Sequence, residues 1–264
     1  FVIHILGADK PFLEPQMFLD RNFSVGLVFI FVIGIILLAS LALLPPMLAR
    51  IFGYPTITTG LVMGPRGVGT MFSMIMVGRL VRTVDPRLLV SVGLLFTAGS
   101  LYLMTGFTPQ MGSGPVIWTG VLQGLGLGLV FVPLSTIAFS TIDPIYRADA
   151  TSLFSLVRNI GSSIGISMVT LMLTRNVQVN HADLAANISV YNPNFTTLLP
   201  GASKSAVTMQ QMEGLVSQQA LMISYIDDFK LMMIITLCAL PLAWILKKPE
   251  LRAAPPGQAP VAHD

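Results

Sequence analysis

Of the 264 residues, 53% are hydrophobic and only 10% are charged, whereas soluble domains usually carry about 25% charged residues. This composition excludes an ordinary water-exposed globule. The net charge of +3 does not indicate nucleic-acid binding, because the basic residues lie beside separate apolar blocks and not in one patch. The single cysteine, Cys238, excludes a disulfide within the chain.

The first residues, 1–22, begin apolar and then become polar at His4, Asp9 and Lys10. They have neither an initiator Met nor the basic, apolar and small-residue regions of a signal peptide. We interpret them as the end of a preceding span and a cytoplasmic lead. On this interpretation the chain is part of a longer protein.

Six apolar blocks follow, at about 23–46, 57–78, 88–107, 115–139, 150–174 and 226–246. A helix needs about 20 apolar residues to cross a bilayer, and in lipid the backbone must hydrogen-bond within the segment. The sequence therefore predicts an all-α integral membrane protein in contact with the lipid bilayer, with five spanning helices in 23–174 and a sixth in 226–246. Residues 175–225 are predicted as a long external loop with a helix over 205–224, and residues 247–264 as a disordered cytoplasmic tail.

The orientation follows from the Lys and Arg residues, which concentrate on the cytoplasmic side of membrane proteins. One predicted side carries Lys10, Arg21, Arg79, Arg82, Arg87, Arg147, Lys247, Lys248 and Arg252, and the other carries Arg50, Arg175 and Lys204. We therefore expect the first side, and both ends of the chain, to be cytoplasmic.

Two arginines fall within apolar blocks, where charged side chains usually face the bundle interior or a wet cavity. Arg158 belongs to a polar and small-residue stripe that steps by three or four residues, as one face of a helix does. It either faces a transport path or binds helix-end carbonyls or Asp149. For Arg66, structural pinning or snorkelling is favoured over substrate contact. The stripe comprises Thr151, Ser155, Arg158, Ser162 and Gly165.

Glycines recur in the fourth and fifth blocks, which predicts close helix packing. The rows are Gly120, Gly124 and Gly128 in the fourth block and Gly161 and Gly165 in the fifth. The Gly124–Gly128 stretch has no preceding strand, so it does not indicate a nucleotide loop. Gln123 either reaches a cavity or makes an interhelical hydrogen bond, and the second role is favoured.

The acidic residues suggest that any proton-coupling carboxylate lies outside this chain. Asp85, Asp143 and Asp149 fall in predicted loops or at helix ends, and Asp227 and Asp228 at the outer edge of the last span. Adaptable methionines suit a promiscuous pocket, although packing or lipid contact explains most of Met74, Met76, Met168 and Met172. The three histidines are far apart, and no pattern indicates an enzyme, a metal or another cofactor.

These motifs resemble the major facilitator superfamily, specifically the 14-span drug:proton antiporters of the EmrB/QacA type. The resemblance covers nearly the whole chain and is most specific at Arg158-Asn159-Ile160-Gly161. It implies spans nine to fourteen, the C-terminal half. In the cytoplasmic loop with Gly78, Asp85 and Arg87, the sequence departs from the family pattern, because Arg82 and Thr83 stand where the family often has Asp-Arg. The matching stretches are 15–23, 43–54, 65–87, 150–165 and 219–229.

The resemblance implies a multidrug efflux permease of the bacterial inner membrane that exports small amphiphilic drugs by proton antiport. It further implies three partners: the missing N-terminal half, a periplasmic membrane-fusion adaptor and an outer-membrane channel. Two alternatives stay open: export of an endogenous metabolite or siderophore, and a non-transporting membrane scaffold or receptor.

Overall fold

The computed structural model describes residues 16–81, 83–187 and 206–246, and all long regular elements in this part of the chain are α-helices. Six of them are long and apolar enough to cross a membrane. The predicted all-helical membrane fold is confirmed. In chain order the helices are α1 (Gln16–Leu19), α2 (Arg21–Ile51), α3 (Thr56–Leu80), α4 (Pro86–Met104), α5 (Ser113–Ser140), a short 3₁₀ turn (Pro144–Tyr146), α6 (Arg147–Asn187) and α7 (Ala206–Ile245).

Local signals fix where the helices begin and end. The Asp20 carboxylate accepts hydrogen bonds from the backbone N–H groups of Asn22, at 2.8 Å, and Phe23, at 3.1 Å, and so caps α2. Asp85 caps α4 in the same way, by accepting from the backbone N–H of Arg87 at 3.1 Å. Between α2 and α3 the chain turns at Gly53, whose φ of 66° favours glycine.

The bundle is organised around α2, which packs against α5, α6 and α7. Helix α3 packs mainly on α5, and α4 lies between α5 and α7. The core has two parts. One is built around Phe23, Leu134 and Phe154 near the start of α2, and the other contains Met47 and Phe229 near its end.

The segment 175–225 is helical over 175–187 and 206–225, and the helix predicted over 205–224 corresponds to the first part of α7. Helix α6 continues to Asn187, and α7 begins at Ala206 and runs without a break into the last span. The two polar extensions bind each other through Asn180 Nδ2, which donates to Ser224 Oγ at 3.0 Å, and through His181 and Glu213, 2.8 Å apart. Within the described part of this segment, the structure differs from the prediction only at 175–187, which were expected to be irregular, because a fall in hydropathy marks the edge of the apolar span and not the end of the helix. The predicted segments 1–15, 188–205 and 247–264 lie outside the described residues.

Candidate functional site

A cavity of about 1000 Å³ lies among α2, α3, α5 and α6. Its walls are largely apolar, and three methionines, Met63, Met71 and Met74, contribute flexible thioethers from α3. Two charged side chains, Arg66 and Arg158, line it, and no acidic residue does so in the described part of the chain. The remaining lining residues are Ile33, Leu37, Leu41, Gly64, Gly67, Thr70, Ile75, Leu127 and Phe131.

Arg66 is held almost out of solvent, at 7% exposure, partway along α3. Its Nη2 donates to Ser40 Oγ of α2 at 3.0 Å, whereas its Nη1 has no partner among the described residues. The guanidinium therefore joins α2 to α3 and also lines the cavity. The sequence favoured pinning or snorkelling over substrate contact. The contact with Ser40 is a pinning contact, and Arg66 also contributes to the cavity wall, with its Nη1 buried and unpaired among the described residues.

Arg158 is half-buried and lies on α6 at the opposite side of the cavity. Its guanidinium carbon is 6.0 Å from the centroid of the Phe131 ring on α5, which is within cation–π range. Neither ion pair in the described residues includes Arg158 or Asp149. Of the two roles open from the sequence, the geometry favours the cavity-facing arginine.

The glycine row of α5 lies directly behind Arg66. A Cβ atom added at Gly124 would overlap the Arg66 carbonyl oxygen and approach the Thr70 backbone nitrogen to 3.0 Å. One turn earlier, a Cβ at Gly120 would meet only the Arg66 Cβ, at 3.6 Å. At Gly128 a Cβ would come within 2.7 Å of Ser73 Cβ. The absence of side chains at Gly124 and Gly128 therefore lets α3 lie close enough to place Arg66 in the cavity wall.

A second glycine contact supports Arg158. A Cβ at Gly34 of α2 would overlap the Arg158 carbonyl oxygen, and one at Gly161 of α6 would overlap the carbonyl of Phe31. At Gly165 the added atom would lie 2.7 Å from Ile35 Cα. Close approach of α2 and α6 thus fixes the turn of helix from which Arg158 reaches the cavity.

Other predicted transport-path residues lie elsewhere. Ser162 Oγ is buried between α2 and α6, 3.2 Å from the Gly34 carbonyl and 2.8 Å from the Arg158 carbonyl, so it packs behind Arg158. Ser155 is half-buried and does not line the cavity. Gln123 is fully buried, and neither its Oε1 nor its Nε2 has a partner among the described residues. The favoured interhelical hydrogen bond of Gln123 is therefore not found in this part of the chain.

The loop residues predicted near the cytoplasm lie at the end of α3 and the start of α4. Gly78 is exposed, with open space where a Cβ would be. Asp85 acts as the helix cap described above, and the buried Nε of Arg87 has no partner among the described residues. The structure brings none of the three to the cavity.

The sequence profile described as Major Facilitator Superfamily matches residues 5–166, more than half of the chain. The chain belongs to the major facilitator superfamily. It is similar to the Multidrug export protein EmrB of Escherichia coli (strain K12), with 30% identity over 253 residues, 94% of this chain and 49% of that protein. The Fatty acid resistance protein FarB of Neisseria gonorrhoeae is 29% identical over 253 residues, 94% of this chain and 50% of that protein. The chain thus spans about half the length of these curated relatives.

One feature of this half was missed from the sequence. Asp228, placed by hydropathy at the outer edge of the last span, is 1% exposed inside the bundle. Its spacing from Tyr225 and Met232, both buried, is the signal that could have located it on the inner face of α7.

Proposed function

We propose that the chain is the C-terminal half of an exporter that moves small hydrophobic molecules across the bacterial inner membrane by proton antiport. The observation that carries this proposal is the cavity with apolar walls and two arginines. A volume of about 1000 Å³ suits a drug-sized ligand, for which pockets of roughly 300–1,000 Å³ are usual. The names of the relatives, multidrug export and fatty acid resistance, fit a ligand of this kind.

The lining favours amphiphilic substrates. Leucine, isoleucine, phenylalanine and methionine side chains supply nonspecific apolar contact, and the methionines can adapt to ligands of different shape. Arg66 and Arg158 give this wall a positive charge with no acidic partner among the lining residues. An amphiphile with an anionic or electron-rich polar group therefore fits the wall better than a cationic one.

Alternating access would move this bundle against the N-terminal half around the shared site. The described basic residues Arg21, Arg79, Arg87 and Arg147 lie at the starts or ends of helices that meet at one end of the bundle. This end is the cytoplasmic one in our proposal. The family resemblance supports a periplasmic adaptor and an outer-membrane channel as further partners of the complete transporter.

The proposal is tested with the full-length transporter in proteoliposomes under an imposed pH gradient. We expect proton-driven accumulation of a fluorescent amphiphile, and we expect Met74→Trp to reduce it because Met74 lines the cavity. Met168→Trp is the matched control, since Met168 is exposed on α6 and does not line the cavity.

The alternatives give different results in the same assay. Amphiphiles that neither accumulate nor compete, with active uptake of a secreted metabolite or siderophore instead, would replace drug efflux by metabolite export. If no solute moves under any gradient, the protein is not a transporter, and the remaining alternative is a membrane scaffold or receptor.

A further inference from the structure

A carboxylate on α7 is buried without a partner. Asp228 is 1% exposed, and neither Oδ1 nor Oδ2 has a hydrogen-bond partner among the described residues. Its helix packs against α2, α4 and α6. The neighbouring Asp227 has the opposite environment, since its side chain is 39% exposed and lies 3.3 Å from Lys230 Nζ. Two successive carboxylates on one helix therefore differ in burial and in pairing.

The polar surroundings of Asp228 are also incompletely paired. Tyr225 lies one turn earlier on the same face of α7, at 1% exposure, and its hydroxyl has no partner among the described residues. Ser224, by contrast, donates to the Ala220 carbonyl at 2.7 Å and accepts from Asn180 Nδ2 at 3.0 Å. The hydrogen bonds of Ser224 and Asn180 thus do not involve the Asp228 carboxyl group or the Tyr225 hydroxyl group.

No cation on the surrounding helices is paired with Asp228 within the described residues. At this end of the bundle, Arg50 of α2, Tyr102 of α4 and Arg175 of α6 are exposed. Besides Tyr225, the remaining titratable groups of the four helices are Arg21, Arg87, Arg147, Asp149, Arg158, His181, Asp183, Glu213, Asp227, Lys230 and Cys238.

A buried carboxylate without a partner is unfavourable when it is ionised, whereas the neutral carboxyl is tolerated. A rearrangement that gives Asp228 water or a cation reverses this preference and releases the proton. Alternating access supplies such a rearrangement, because one bundle rocks against the other in each cycle. Ionisable residues inside membrane bundles commonly serve as proton relays for this reason.

We propose that Asp228 is a proton-binding site of the transport cycle, with Tyr225 beside it. This inference rests on the proposed antiport function. The site lies toward the end of the bundle where α2 meets α3, since Gln218 Nε2 donates to the Ile51 carbonyl at 3.0 Å and the Phe229 ring lies 6.2 Å from that of Phe107. In the proposed orientation this end faces outward, so the proton enters from outside.

The test compares Asp228→Asn with the matched control Asp227→Asn in the full-length transporter. Each protein is assayed for accumulation driven by a pH gradient and for substrate counterflow without a gradient. We expect Asp228→Asn to lose about tenfold or more of the proton-driven accumulation, because asparagine cannot bind and release a proton. Its counterflow should stay close to that of the wild type, and Asp227→Asn should keep both activities.

The two assays separate failure of this inference from failure of the proposed function. A wild-type protein without counterflow or accumulation contradicts the exporter itself. A wild-type exporter whose Asp228→Asn variant retains proton-driven accumulation and its pH dependence contradicts the proton site alone. A sodium gradient could drive accumulation instead, and Asp228→Asn could abolish it. That result would show that Asp228 binds a metal cation and would overturn the proposal of a proton site.

A chemical probe applied to the wild type tests the site even if Asp228→Asn does not fold. Dicyclohexylcarbodiimide adds to a protonated carboxyl in an apolar environment, and the O-acyl adduct rearranges to a stable N-acylurea. Mass spectrometry should find this adduct at Asp228 and not at Asp227, with labelling that increases as the pH falls. Labelling of Asp227 alone, or of neither residue, sinks the inference.

Discussion

At the scale of single residues, the two cavity arginines are held in different ways. Arg66 is nearly buried and hydrogen-bonded to Ser40, whereas Arg158 is half-buried and supported by the Phe131 ring. A cation–π contact of this type contributes about 0.5–1 kcal/mol at an exposed site. Arg158 can therefore move toward a ligand at little energetic cost, while Arg66 contributes to the structure as well as to the charge of the wall.

Substitution of Arg158 separates charge from geometry. Lysine keeps the positive charge but loses the planar guanidinium fork. If Arg158 acts through its charge, Arg158→Lys should retain most of the proton-driven efflux and Arg158→Ala little of it, with thermal stability in detergent close to that of the wild type. Arg175→Ala, on the exposed part of the same helix, is the control. Normal efflux and stability in Arg158→Ala would remove the residue from the mechanism.

Replacement of Ser40 tests how Arg66 is held. Ser40→Ala removes the acceptor for Arg66 Nη2 and leaves a buried donor unpaired, which costs about 1–3 kcal/mol. We expect a lower unfolding temperature for the full-length protein in detergent and weaker efflux. Ser135→Ala is the matched control, because Ser135 Oγ donates only to the Val132 carbonyl of its own helix, at 2.9 Å. Equal stability of the two variants would show that the hydrogen bond between Ser40 and Arg66 contributes nothing.

The residues of the cavity were partly predictable from the sequence. A charge in an apolar block is a strong signal, and it located both Arg66 and Arg158. The face of α7 on which Asp228 lies was not predicted. Hydropathy gives the position of a residue along the helix axis but not the face of the helix that it occupies. The contact between Arg158 and Phe131 joins α6 to α5 across the chain, and no local pattern encodes such a pairing.

At the scale of helices, the glycine rows connect packing to the site. Gly124 and Gly128 bring α5 against α3 behind Arg66, and Gly34, Gly161 and Gly165 bring α2 against α6 behind Arg158. Small residues on one face allow this approach, and the spacing of four residues was visible in the sequence. What the sequence did not specify was the partner of each row, which depends on the order of the helices in the bundle.

A pair of alanine substitutions on α5 tests this role. Gly124→Ala places a Cβ against the Arg66 carbonyl, so helices must separate, and overpacking of this kind costs about 1–3 kcal/mol. Gly120→Ala, one turn away, makes an ordinary contact at 3.6 Å and should be neutral or slightly stabilising. The measurement is the unfolding temperature in detergent together with efflux. Two variants of equal stability would contradict close packing at Gly124.

The helix ends show where sequence reasoning loses precision. The five spans within 23–174 were located by hydropathy, yet α2 begins at Arg21 and ends at Ile51, beyond the apolar block on both sides. The same effect is larger in α6 and α7, whose polar extensions are stabilised by mutual contacts through Asn180 and His181. Tertiary contacts of this kind extend a helix past its apolar stretch and leave no periodic apolar pattern.

At the scale of the whole molecule, the arrangement of the helices gathers basic residues at one end. Arg21 and Arg87 begin their helices, and Arg79 ends its own at the same side. Arg50, in the last turn of α2, lies at the opposite end. Cytoplasmic loops carry the excess of Lys and Arg, so this distribution supports our proposal that the end with Arg21, Arg79 and Arg87 is cytoplasmic.

Impermeant thiol labelling of intact cells tests that orientation. The full-length protein is first freed of reactive thiols, including the exposed Cys238, and single cysteines then replace Gln110 or Thr83. Both positions are exposed, Gln110 between α4 and α5 and Thr83 between α3 and α4. Since these connections lie at opposite ends of the bundle, Gln110→Cys should react from outside and Thr83→Cys only after the membrane is permeabilised. The reverse labelling pattern would show that the bundle has the opposite orientation in the membrane, with the end near Asp228 on the cytoplasmic side.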